Sequence, residues 1–484
     1  MNIKLMRKTC GIILAVYLIF CLLVFWIGGD NLRFKDAESD PVSPTVELGE
    51  LTGDLVLSQQ FKAQGDELLS LSFAVSTHGR SNEGEIHILV SDEAGQTVGE
   101  CSLPAAEAQD DIPLYAVFGK PILTRRGSSY TITITSPDSR EGRAISLWAG
   151  KTYLLARGEA VKEIPEAERL VVNGEPQDGI LSFSMQYREH FWFGEHFLLV
   201  ALLGGAALGA LCLSFLIKAR QGKVTFLHRV VDGFQKYSFL MRQLISRDFK
   251  TKYKRSVLGV LWSFLNPLLT MGVQYIVFSK IFKSNIPNFP LYLLSGIVCY
   301  NFFSEATTMS LVSIVGNAHL ITKVYVPKYI YPVSRVLSST INLLLSLIPL
   351  FGVMLLTGTH VTPAILMLPY GIVCLVGLCI GIGFILSTSM VFFRDTQFLW
   401  GVLIMLWMYM TPIFYPESII PERFLAIYHC NPLYQIIHFI RVLLIDGVSP
   451  TPQSYLACLA SAAIPMLLGV VIFKKNQDKF ILNL

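Results

Sequence analysis

The chain has 484 residues, 52% of them hydrophobic and 15% charged, with a formal net charge of +4 and a mean hydropathy of +0.51. A soluble domain carries about a quarter charged residues, so this composition excludes a soluble protein and indicates a polytopic membrane protein. The positive excess is small and sits beside apolar runs, which marks membrane orientation and argues against nucleic-acid binding.

Residues 1–8 carry Lys4, Arg7 and Lys8, and an uninterrupted apolar run follows over 10–28. That run can cross about 30 Å of hydrocarbon. It exceeds the apolar core of about 7 to 15 residues in a cleaved signal peptide, and no A-x-A site follows. A membrane anchor over residues 1–29 is expected.

From residue 30 to 195 the composition becomes that of a soluble domain. LLSLSFAV (68–75), EIHILV (85–90), YTITIT (130–135) and ILSFSM (180–185) alternate and are separated by Gly, Pro, Asp and Asn clusters, the signature of short strands. An extracytoplasmic antiparallel β-sandwich is expected. The turn at Gly65 and Asp66 followed by EIHILVSDEAG resembles jelly-roll modules of the carbohydrate-binding kind, at the level of fold. No aromatic platform marks a sugar site.

A second span is expected within 196–218, with Gly204, Gly205, Ala206, Ala207, Gly209 and Ala210 permitting close helix packing. Lys218, Arg220 and Lys223 follow. Basic flanks before the first span and after the second place both those ends in the cytoplasm and residues 30–195 outside.

Residues 219–258 form a cytoplasmic linker and a basic amphipathic helix. Tyr237, Met241, Ile245, Phe249 and Tyr253 recur on one face with Leu240 and Leu244 beside them. Lys236, Arg242, Arg247, Lys250, Lys252, Lys254 and Arg255, opposed only by Asp248, make the other face basic, as suits a helix lying in the headgroup layer. Gly259 would hinge this helix onto a spanning one.

Six further spans are expected near 259–282, 291–315, 333–356, 364–388, 398–414 and 455–473, giving eight in all with both termini cytoplasmic. The connection 316–332 (GNAHLITKVYVPKYIYP) is either an ordinary turn or a rigid knob for a partner. Segment 415–452 holds two short helical runs, 424–428 and 433–444, split by Asn431 and Pro432. Neither run can span, so a re-entrant pair at an outer pore mouth is expected. Glu305 stands alone in its span and needs a partner, a cavity or an interface, with Arg335 a distant possibility. Rings at Trp262, Tyr275, Phe278, Tyr300, Phe303, Trp407 and Tyr409 could line a path for a sugar chain, although helix packing explains them as readily.

The nine cysteines show no CxxC or Cys/His spacing, so neither a disulfide framework nor a zinc site is expected. No GxxxxGK[ST], G-x-S-x-G or H-E-x-x-H occurs, so no ATP hydrolysis or other enzymatic chemistry is expected of this chain.

Four segments, RDFKTKYKRSVLGVLWSFLNPLL from Arg247, LITKVYVPKYIYPVSR from Leu320, FRDTQFLWGVLIMLWMYMTPIFYP from Phe393 and NPLYQIIHFIRVLLIDG from Asn431, occur in this order. Together they resemble the membrane (permease) subunit of ABC-2-type polysaccharide exporters, the O-antigen and teichoic acid export family, from about residue 236 to the C-terminus. The resemblance implies a six-span core over 259–484, a homodimer with the pore between the two copies, and two copies of a separately encoded ATPase holding ATP and Mg. It implies that a bacterial cytoplasmic membrane houses the protein and that its cargo is a lipid-linked polysaccharide. ATPase movement would reach Arg247, Lys250 and Lys254 on the basic helix, and Asn317, His319, Leu320 and Lys323 in a coupling helix near 317–324. Glu305 joins the aromatic path candidates, and outer gate helices over 416–445 would include Asn431, Pro432, Tyr434 and Arg441. The first 230 residues depart from the family pattern, so the β domain is either a spacer or a module that touches the polymer. A drug or lipid exporter of the same fold and a membrane-bound glycan-processing enzyme are the rival readings.

Overall fold

The computed structural model describes residues 3–39, 41–150, 168–221, 226–254, 256–281, 286, 288–323 and 326–483. Arg255, Lys223 and Val324, each part of an expectation above, lie outside them. The chain divides into two units, residues 33–192 and the remainder.

Among the described residues of the first unit every strand pairing is antiparallel. Strands Phe34–Glu38, Phe183–His190, Glu67–Phe73 and Leu114–Leu123 lie side by side in that order in a four-stranded sheet. A six-stranded sheet includes Leu57–Lys62, Ser129–Thr135 and Glu85–Ser91, and a smaller one is centred on Ser146–Gly150. Leu71 and Phe73 from the four-stranded sheet share one core with Ile88 and Ile132 from the six-stranded sheet, the face-to-face packing of a sandwich. The expected strand 180–185 divides at Ser182, where the chain leaves one sheet for another. Gly65 is required at its turn, since a Cβ there would lie 2.5 Å from the Tyr187 ring.

The second unit is helical. In chain order its helices are α1 (Ile3–Gly28), α2 (Trp192–Glu195, its first residue in the β unit), α3 (Phe197–Arg220), α4 (Phe226–Tyr253), α5 (Trp262–Tyr275), α6 (Phe289–Leu311), α7 (Ala318–Lys323), α8 (Ile330–Leu356), α9 (Leu368–Phe392), α10 (Thr396–Tyr409), α11 (Glu422–His429), α12 (Pro432–Arg441), α13 (Pro452–Asn476) and α14 (Phe480–Asn483). Among the described residues, six stretches are long and apolar enough to cross a membrane: Met6–Leu32, Phe197–Arg220, Gly259–Ser279, Ile330–Leu356, Pro363–Phe392 and Pro452–Asn483. Two of the eight expected spans fall outside that set. Helix α6 is long, at 23 residues, but carries Glu305 and a run of Ser, Thr and Asn. Helix α10 has only 14 residues, about 21 Å of rise, because the chain turns away after Tyr409.

The small residues of α3 do what their size allows. The Tyr17 hydroxyl of α1 donates to the Ala201 carbonyl at 2.8 Å, and a Cβ at Gly204 would stand 2.4 Å from that hydroxyl. Helix α1 is docked in turn on the bundle, where Phe20 stacks on Tyr370 at 5.0 Å and meets Tyr455 at its edge.

Candidate functional site

Two polar constellations organise the bundle, one where α4 meets it and one around α12. Helix α4 turns its apolar stripe inward. Met241 and Leu244 are buried in a cluster with Ile314, Ile321, Ile330, Tyr331 and Val333, so the helix packs on α7 and on the start of α8. Arg242, Arg247, Lys250, Lys252 and Lys254 remain exposed.

Asp248 corrects the sequence expectation. It follows Leu244 by four residues and Met241 by seven, which places it in the packing seam and not on the basic face. Its carboxylate meets Arg335 Nη1 of α8 at 3.1 Å and Arg247 Nη2 at 3.1 Å, with only 4% of the side chain exposed. Arg335 is therefore committed to Asp248. The partner of Glu305 is Lys252, with Nζ 2.7 Å from Oε2. The other Glu305 oxygen accepts from Asn342 Nδ2 at 2.8 Å and Ser339 Oγ at 3.3 Å.

One step further along, the Tyr253 hydroxyl lies 2.9 Å from Asn342 Oδ1 and 2.5 Å from Ser263 Oγ. The last turn of α4 is thus tied to α5, α6 and α8 together. Between α4 and α5, Gly259 takes a φ of +52° that a residue with a Cβ adopts only with strain, and the Gly259 N–H donates to Ser256 Oγ. The expected hinge is a sharp turn held by the Ser256 hydroxyl.

The 316–332 connection contains the six-residue helix α7. Asn317 is buried and donates to the Ser313 carbonyl at 2.7 Å, finishing the preceding helix. Leu320 is half-buried, and His319 and Lys323 are exposed. Only the last two offer a free surface.

At the second constellation the break expected at Asn431 and Pro432 lies between α11 and α12, with Asn431 capping α12 and Pro432 opening it. Asn431 Oδ1 accepts from the N–H of Leu433 at 3.1 Å, capping α12, and from Trp407 Nε1 at 2.9 Å. Its Nδ2 donates to Thr411 Oγ1 at 2.9 Å. Pro432 occupies the first helical position, where a missing N–H costs nothing. The Tyr434 hydroxyl donates to Glu417. Arg441 is buried, with Nη1 donating to the Pro412 carbonyl at 2.7 Å and Nη2 to the Tyr292 and Ile413 carbonyls at 3.2 Å. Its guanidinium lies 3.5 Å over the Tyr292 ring. Gly296 makes room for it, since a Cβ there would lie 2.8 Å from Nη2.

The aromatic path candidates do not form one surface within the chain. Phe303 is fully buried against Trp407, ring centroids 5.3 Å apart, and the Tyr300 hydroxyl donates to the Ile404 carbonyl. Phe278 stacks on Phe414 at 5.5 Å, and Tyr275 meets Phe289. Trp262 and Tyr409 are exposed. Sequence reasoning missed Asn342, Ser263 and Asp248 as members of the α4 constellation. The position of Asp248 in the apolar stripe was the signal for one of them.

Known proteins share this arrangement of segments. The sequence profile of the ABC-2 type transporter family matches residues 240–445. The O-antigen export system permease protein RfbA of Klebsiella pneumoniae is 32% identical over 243 residues, 50% of this chain and 93% of that protein. The protein of the same description from Myxococcus xanthus is 28% identical over 257 residues, 52% of this chain and 98% of that protein. The polysialic acid transport protein KpsM of Escherichia coli is 22% identical over 252 residues, 51% of this chain and 97% of that protein. With about half of its length matched along nearly the full length of these permeases, the chain is a multi-pass membrane protein that belongs to the ABC-2 type transporter family.

Proposed function

We propose that this chain is the transmembrane subunit of an ATP-driven exporter that moves a lipid-linked cell-surface polysaccharide across the bacterial cytoplasmic membrane. The observation that carries the reading is the clamping of α4 onto the bundle by Asp248–Arg335, Lys252–Glu305 and Tyr253–Asn342. A helix that is basic and exposed on one face, and ion-paired to two bundle helices on the other, passes a push on its surface into the bundle. The polysaccharide-export relatives supply the class of cargo.

The motor is a separate subunit, two copies per transporter, that binds ATP and Mg and bears on Lys250, Lys254, His319 and Lys323. Two copies of this chain enclose the pore. Exposed apolar residues on α5 (Leu269, Val273) and just after it (Ile276), and on α10 (Phe398, Val402, Leu406), are the surfaces available for pairing. Both termini lie in the cytoplasm and residues 30–195 outside, as the basic flanks of α1 and α3 direct. ATP binding in the motor tilts α4, and α12 with its Arg441 brace opens or closes the outer mouth. No covalent step on the cargo is involved.

Deleting the gene in the producing bacterium tests this reading. The expected result is loss of a surface polysaccharide with its lipid-linked form retained inside the cell, restored by the wild-type chain together with a co-purifying ATPase. A normal surface polysaccharide in the deletion strain contradicts it.

A further inference from the structure

The end of α10 and the short helix α11 enclose a cleft that the chain's own side chains leave open. Its volume is about 420 Å³, within the range of small-ligand sites. Met410, Tyr415, Ile419, Phe424, Ile427 and Tyr428 are among the residues that line it, all of them apolar or aromatic. The two phenols turn their polar tips to each other, with hydroxyls 3.1 Å apart, and Tyr415 donates onward to the Tyr409 carbonyl. The cleft therefore offers hydrocarbon and ring surface and almost no polar group. Ile419, Phe424 and Ile427 on its walls are exposed.

Depth in the membrane and charge select what fills it. Helix α10 begins after the exposed residues Arg394 and Asp395. Its 14 residues rise about 21 Å, less than the roughly 30 Å of the hydrocarbon layer, so the cleft at its far end opens within that layer or at its edge. Beside the mouth stands Arg423, exposed, with its guanidinium 4.9 Å over the ring of Phe424. Among the described residues no carboxylate pairs with Arg423, whereas Glu417 and His429 of the same segment lie 3.6 Å apart.

We propose that this cleft holds an acyl chain of an anionic phospholipid whose phosphate meets Arg423. An acyl chain matches a lining without free polar groups, a guanidinium takes phosphate oxygens in pairs, and a long arginine reaches from an apolar wall to the headgroup level. A second copy of this chain suits the cleft less well, because a twofold pairing centred on it sets two Arg423 side by side. Through this lipid the membrane itself grips the segment between α10 and α12. The site lies in the segment read above as the outer gate, but it needs only a chain in a bilayer, whatever the cargo.

The full-length chain in phosphatidylcholine liposomes tests this with a phosphatidylglycerol probe that carries a diazirine on one acyl chain. Light-driven adducts are located by peptide mass spectrometry, and exposed Leu202 and Leu203 of α3 report ordinary contact with bulk lipid. Labelling of Met410, Phe424 or Ile427 is expected to saturate as the probe's share of the lipid rises, while labelling of α3 stays proportional to it. Arg423→Gln is expected to raise the half-saturating share about fivefold. Ile427→Trp, which narrows the cleft, is expected to cut labelling of Met410 and Phe424 about threefold or more. Both positions are exposed, so neither variant costs the fold.

Labelling that follows the bulk lipid as α3 does, or that both variants leave unchanged, overturns the proposal. So does labelling displaced by a polyprenyl phosphate at a lower share than by unlabelled phosphatidylglycerol, which assigns the cleft to a prenyl lipid. Loss of labelling when two copies associate assigns it to the second copy and overturns the proposal too. Saturable labelling of a chain whose gene proves unnecessary for surface display removes the transport reading and leaves this site standing.

Discussion

Asp248 of α4 and Arg335 of α8 form an ion pair at 3.1 Å across a seam that leaves the carboxylate almost wholly buried. The Oδ2 contact lies at ion-pair distance without hydrogen-bond alignment, so charge holds the two helices together there. Removing one partner strands the other charge, a loss on the order of 3 kcal/mol for a buried pair. Asp248→Ala is expected to lower the melting temperature of the purified chain markedly. The double variant Asp248→Leu/Arg335→Leu recovers most of that stability, and a thermal melt in detergent compares the two.

The exposed basic face behaves differently. Lys254 is exposed and sits away from the seam, so Lys254→Glu changes stability by no more than about 0.5 kcal/mol. It is still expected to cut export by weakening the contact proposed with the motor. Arg247→Glu adds the loss of its bond to Asp248 and is expected to be the more severe. Surface display of the polysaccharide, measured beside the melting temperature, separates the two effects.

Arg441 braces the turn before α11 through carbonyls at Pro412 and Ile413. Arg441→Met keeps the volume and leaves those carbonyls without a donor, at about 1 to 3 kcal/mol for each buried group left unsatisfied. The expected phenotype is a chain that inserts and still co-purifies with its ATPase but exports poorly. Gly296→Val, which intrudes on the same guanidinium, should reproduce it in an export assay.

Acid acts on the β unit through two carboxylates. Hydrogen bonding from Arg80, with help from the Gly142 N–H, holds Glu50 below the usual carboxylate range. The Thr77 N–H and hydroxyl do the same for Asp110. A carboxyl with a depressed folded-state pKa contributes stability that is complete above its unfolded value and is lost as pH falls through the folded one. The β-sheet circular-dichroism melt is therefore expected to drop at acid pH below the ordinary carboxylate range. Glu50→Gln should start lower at neutral pH and fall less steeply.

The sequence carries some of these relationships openly and hides others. The α4 stripe, the turn at Gly259 and the break at Asn431–Pro432 are local, set by periodicity and by the backbone limits of Gly and Pro, and they stand where the chain pattern places them. Pairings between distant helices are not local. The partner of Glu305 depended on which turn of α4 reaches α6, and periodicity fixes the face of a helix but not its axial position. Asp248 shows the middle case, since its place in the stripe implied burial while the identity of its counter-ion needed the packing of α8. The buried contact between Ser72 and Ser184 on the β sheet was invisible because both look like ordinary outward positions until the strand order brings them together.

The most direct test of force transmission through α4 is the amount of polysaccharide moved per ATP hydrolysed, measured with the chain and its ATPase in liposomes for the wild type, Lys252→Ala and Glu305→Ala, and for the reversed pair Lys252→Glu/Glu305→Lys. Each single variant is expected to hydrolyse ATP still but to move about tenfold less polymer per ATP, and the reversed pair to regain much of the ratio. An unchanged ratio in both single variants would contradict force transmission through α4.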